Sequence, residues 1–184
     1  DFIKAQSKER PFFLMLSYPA SPAENNSTNV TRLDGYVSQI LDYLKTLRIE
    51  SNTIVILVGG NTPKHGDNTN TLNEDALRVP LIVRWPARLK PAVVSGPWAA
   101  WDIFPTMADI ARTQCPTNVD GISFYAMLRG RTQTNHHDFL YWETHDAIRG
   151  SQQAARMGDW KAVRKVADGP LELRGRCSLP RKQS

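Results

Sequence analysis

Few side chains in this sequence stand in a pattern that does chemistry, and several of them follow apolar runs. Gly59-Gly60-Asn61 closes the run Ile54-Val55-Ile56-Leu57-Val58. A glycine pair there could cradle a phosphate, but no Gly-Lys-Ser/Thr and no helix start follows, which favours a tight turn. His136-His137-Asp138 puts three potential metal ligands in a row. Adjacent residues on a strand point to opposite faces and seldom share an ion, so this triplet is not expected to bind metal. Glu143 and His145 alternate on one face of the next apolar run and are expected to be a solvated pair. No Gly-x-Ser-x-Gly elbow exists to support Ser-His-Asp catalysis. Cys115 and Cys177 match no zinc spacing and are expected to be two free thiols.

The elements that must position these groups follow from the apolar pattern. Phe12-Phe13-Leu14-Met15-Leu16 reads as a strand buried on both faces. Residues 19–31 read as a loop, in which Asn25, Asn26 and Asn29 each open an Asn-x-Ser/Thr triplet. Leu33, Tyr36, Val37, Ile40, Leu41, Leu44 and Leu47 fall at helical spacing, which predicts a helix over roughly 31–48. Residues 54–58 are a second buried strand. Strand, helix and strand over this length make a βαβ unit with parallel strands, whose carboxyl ends share the edge where ligands bind. Residues 62–76 read as a loop, and 79–86 as a third strand bracketed by Pro80 and Pro86. Trp101–Arg112 reads as a helix with Asp102 at its N-cap, Pro105 in its first turn, and Ile103, Met107, Ile110 and Ala111 facing inward. A short helix is expected over 123–129. The runs at 139–142, 154–157 and 160–164 read as strands of a small antiparallel sheet.

The whole sequence has 184 residues, 41% apolar and 22% charged, with a net charge of +5. That composition excludes collagen-like, coiled-coil and wholly disordered chains. Arg174, Arg176, Arg181 and Lys182 put +4 into the last eleven residues, leaving +1 for the rest. So short a basic tail reads as a solvated end, and the body has no charge surplus for gripping nucleic acid. No run of 18 apolar residues occurs, so no membrane span is expected. The first sixteen residues do not have the make-up of a signal peptide, so the chain is expected to begin within the structure or after a removed leader.

Taken in order, several strings are similar to one family. They are Pro11-Phe12-Phe13-Leu14, Leu33-Asp34, Asn52-Thr53-Ile54-Val55-Ile56 and Arg78-Val79-Pro80-Leu81-Ile82-Val83-Arg84-Trp85-Pro86. Asp102-Ile103-Phe104-Pro105-Thr106, Asp120-Gly121-Ile122-Ser123, Tyr141-Trp142-Glu143 and Arg156-Met157-Gly158-Asp159-Trp160-Lys161 follow. In this order the chain resembles the formylglycine-dependent sulfatases of the arylsulfatase branch, over the later half of their catalytic domain and its C-terminal sheet. The resemblance implies an α/β, alkaline-phosphatase-like fold with a mostly parallel sheet. It divides the chain into 1–135 (catalytic α/β domain, later half), 136–173 (small antiparallel sheet) and 174–184 (divergent basic tail).

The family's chemistry uses a hydrated formylglycine made from the Cys of a Cys-x-Pro/Ala-x-Arg motif, with Ca²⁺ on oxygen ligands and Lys and His on the sulfate. Neither cysteine here sits in that motif. The resemblance carries four further positions onto this stretch. Ala20-Ser21-Pro22 stands for Ala-Pro-His, so the sulfate-contacting His is absent. Gly59-Gly60-Asn61-Thr62 stands for Ser-Asp-Asn-Gly, which keeps Asn61 as a metal ligand and replaces the Asp with Gly60. Glu74-Asp75-Ala76-Leu77-Arg78-Val79-Pro80 aligns with a Glu-Gly-Gly-x-Arg-Val-Pro motif, five residues after a catalytic Lys that is Thr69 here. Lys64 and His65 lie nearby and are expected to be solvated rather than stand-ins. Past Leu173 the family continues Tyr-Asp-Leu, whereas this chain turns to Arg174-Gly175-Arg176.

The resemblance therefore implies a sulfuric ester hydrolase of which this chain is a partial copy, inactive alone. Ca²⁺ is implied by the family, with Gly60 here in place of the metal-binding Asp. The implied partners are the missing N-terminal half or a covering protein, and a sulfated small molecule or glycan. The alternative is a sulfatase-like binding module without catalysis. The family is commonly secreted, periplasmic or lysosomal.

Overall fold

A computed structural model describes residues 2–6, 10–18, 26–60, 72–94, 96–146, 150–166 and 168–175. Its elements are α1 (Phe2–Ala5), α2 (Asn26–Thr46), β1 (Val55–Val58), α3 (Glu74–Leu77), β2 (Leu81–Arg84), α4 (Ile103–Ala111), α5 (Tyr125–Leu128), β3 (Leu140–Asp146), β4 (Gly150–Met157), β5 (Trp160–Arg164) and β6 (Leu171–Arg174). Short 3₁₀ turns precede β1 (Glu50–Asn52) and α4 (Ala100–Asp102). No described helix is long and apolar enough to cross a membrane. The chain divides into two compact units, residues 1–55 with 83–89, and residues 56–82 with 90–184.

The first unit is built on α2. The helix starts at Asn26, five residues before the predicted start and inside the stretch expected to be a loop. Leu44 is its buried anchor. The helix closes with two reverse bonds, Arg48 N–H to Lys45 O at 2.9 Å and Ile49 N–H to Leu44 O at 3.0 Å. This is a Schellman end whose left-handed position, φ 56°, holds Arg48 instead of glycine. Glu50 pairs with Arg84 at 2.9 Å across a half-exposed site. Residues 11–18 are not a buried strand. They lack regular secondary structure, and Phe13 and Met15 are 77% and 78% exposed. A strand is defined by its ladder, and no backbone hydrogen bond joins residues 11–18 to any other described residue.

β1 and β2 form a two-stranded sheet. Gly59 N–H donates to Pro80 O at 2.9 Å, so the end of β1 meets the start of β2. That is an antiparallel pairing, and with 12–16 unpaired the expected βαβ unit and mostly parallel sheet are not formed by the described strands. The approach is close: a Cβ on Gly59 would lie 2.7 Å from Pro80 Cδ.

The small antiparallel sheet is present, with β3-β4-β5-β6 in chain order. Ala154 faces Val163 and Arg156 faces Lys161 in its register, while Leu173 faces Ala162. β6 adds a strand beyond the three runs predicted. Gly158 turns β4 into β5 at φ 55°, a left-handed position that glycine takes without steric cost. Ala154 and Val163 form a buried cluster with Leu72, and Leu77 and Trp142 pack against it. The segment 72–77 is thus held on one face of this sheet.

α4 buries Pro105, Thr106 and Ala108; Ala111, expected to face inward, is exposed. Ile103, Met107 and Ile110 are partly buried, as expected. Trp98 packs on Phe124 with ring centroids 4.8 Å apart, and Trp101 on Trp142 at 6.0 Å. Trp160 is 55% exposed.

Candidate functional site

The strand end singled out by the sequence is Gly59-Gly60. Neither residue brings a side-chain oxygen, and a Cβ on Gly60 would meet nothing within 4 Å. A Ca²⁺ ion takes six to eight oxygen ligands. The described residues at this strand end do not fit it, and no group of three or more His, Cys, Asp or Glu side chains able to hold a metal occurs among the described residues. Asn61, the expected metal ligand, lies outside the described residues. So do Ala20, Ser21, Pro22, Thr62, Lys64, His65, Thr69 and Cys177.

The segment 72–77 is anchored by ion pairs. Glu74, at the start of α3, accepts from Arg156 Nη1 at 2.8 Å and from Lys161 Nζ at 3.3 Å. Lys161 is 2% exposed. An ammonium so deeply buried requires a carboxylate beside it, because an unpaired buried charge is prohibitively costly. Arg156 also donates through Nε to Gly158 O at 3.1 Å. The Glu of the Arg-Val-Pro string and the Arg and Lys of the Arg-Met-Gly-Asp-Trp-Lys string are therefore one ion cluster. The sequence showed all three residues without showing that they meet.

A second buried polar centre forms around Asp102. Its carboxylate is completely inaccessible. Oδ2 accepts Ala99 N–H at 2.9 Å, and Oδ1 accepts Ile122 N–H at 2.9 Å. His137 Nε2 lies 2.7 Å from the same Oδ1. Asp102 does occupy the N-cap position of α4, but its side chain caps no N–H of that helix. Thr106 extends the network, donating to Asp102 O at 2.6 Å and accepting Phe124 N–H at 3.0 Å. One available signal was an acid set between Trp101 and Ile103, since a carboxylate in an apolar stretch needs partners.

The remaining candidates do not converge. His136 Nε2 sits 2.8 Å from Gln133 O, whereas His137 meets Asp102; the two lie before β3, outside any strand. Glu143 accepts from Tyr141 Oη at 2.9 Å and Gln153 Nε2 at 3.4 Å, while His145 Nδ1 lies 3.3 Å from Ser151 Oγ. The Glu143 carboxylate that receives its hydrogen bond raises the Tyr141 phenol above its usual pKa. Cys115 is a free thiol.

Comparison with known proteins places these features. The family model Sulfatase matches residues 4–113, and the model N-sulphoglucosamine sulphohydrolase, C-terminal, matches residues 67–164. The chain is 29% identical to rat (Rattus norvegicus) steryl-sulfatase over 175 residues, which is 77% of this chain and 30% of the relative. It is 29% identical to pig (Sus scrofa) N-acetylgalactosamine-6-sulfatase over 195 residues, covering 88% of this chain and 36% of that protein. Among solved structures, the phosphonate monoester hydrolase of Silicibacter pomeroyi superposes with a TM-score of 0.65 at 20% identity, over 79% of this chain and 33% of its own. A 2-O GAG sulfatase gives 0.62 at 23%, over 78% and 33%. The chain thus spans about a third of the length of the proteins it matches.

Proposed function

The chain belongs to the sulfatase family, and we propose that it represents the C-terminal portion of a sulfuric ester hydrolase that turns over no substrate by itself. The observation that carries this reading is the bare strand end at Gly59-Gly60 beside a retained scaffold. Glu74, Arg156 and Lys161 still tie α3 to the C-terminal sheet. That tie needs no catalytic group, whereas sulfate ester cleavage does.

Cleavage requires a nucleophile aimed at sulfur and preorganised positive charge on the sulfate oxygens. Removing one such stabilising group typically costs about 10²–10³ in rate. Here the sequence holds no Cys-x-Pro/Ala-x-Arg nucleophile motif, and Gly60 and Thr69 replace an Asp and a Lys of the family pattern. Losses of that kind multiply, so the chain alone is expected at the background rate. In a longer protein or assembly, the substrate class would be a sulfate monoester of a small alcohol or a sugar, in line with the names of the relatives.

The test is hydrolysis of 4-nitrophenyl sulfate by the purified chain with Ca²⁺ supplied. The expected result is nitrophenol release indistinguishable from buffer. Turnover that a chelator abolishes would overturn the reading.

A further inference from the structure

We draw no further inference here: the strongest candidate, the face of the C-terminal sheet on which the register gathers the exposed side chains of Tyr141, Met157, Trp160, Leu171 and Leu173, carries nothing because nothing in the structure shows what covers it.

Discussion

Replacing Asp102 tests how the second unit is held together. The carboxylate is fully buried and satisfies three donors or partners: Ala99 N–H, Ile122 N–H and His137. In Asp102→Ala both backbone N–H groups lose their acceptor inside the protein. Each buried donor so orphaned costs about 1–3 kcal/mol. His137, 11% exposed, loses its partner as well. The expected loss is about 2–6 kcal/mol, that of two such orphaned donors together. Asp102→Asn keeps one carbonyl oxygen but turns an NH₂ toward a group that donates, so it should fall between wild type and alanine. The assay is urea unfolding followed by tryptophan fluorescence, because Trp98 and Trp101 flank the site. A double-mutant cycle with His137→Ala should return a coupling of at least about 1 kcal/mol, as groups in direct contact do. A loss below about 1 kcal/mol in Asp102→Ala would refute the reasoning, because that is the scale of one ordinary hydrogen bond rather than of a shared buried acceptor.

Three further outcomes follow from local geometry. Gly121→Ala would drive its Cβ into the Trp101 carbonyl and within 2.9 Å of Pro105 Cγ, so it should destabilise strongly, whereas Gly60→Ala, with open space around it, should change the unfolding midpoint little. Arg48 and Arg112 both hold left-handed helix ends, at φ 56° and 55°, so Arg48→Gly and Arg112→Gly should each stabilise by up to about 1 kcal/mol, read by thermal denaturation. Glu172 is held below the usual carboxylate pKa by hydrogen bonds from Lys165 and Arg174. Its contribution is therefore present above the unfolded carboxylate value and lost as pH falls through the lowered folded value; a carboxyl titration by NMR should show Lys165→Gln moving it back up.

The helices and the C-terminal sheet were legible because their signals are local. The spacing of Leu33 through Leu47 needs no partner to be read, and Met157-Gly158-Asp159-Trp160 announces its own turn. The strand expected at 12–16 failed for the opposite reason. An apolar run reports what it would bury, and the ladder that makes it a strand comes from elsewhere. The direction of β1 against β2 was hidden likewise, since an apolar run has no polarity until a bond such as Gly59 to Pro80 fixes it. At the site, the loss of side-chain oxygen at Gly60 was visible in the sequence. The meetings of Glu74 with Lys161 and of Asp102 with His137 were not, because they join residues 87 and 35 positions apart.

The Glu74 cluster also sets a timetable. The partners of Glu74 lie 82 and 87 residues further along the chain. On a ribosome adding roughly 5–20 residues per second, the segment 72–77 waits on the order of 4–17 s before the sheet it packs against has been made. For that interval Leu72, Ala76 and Leu77 have no core to enter and the Glu74 carboxylate has neither cation. The second unit therefore cannot be completed from its amino end as it emerges, and a chain stopped before Lys161 would leave both its apolar and its charged anchors open to whatever binds nascent protein.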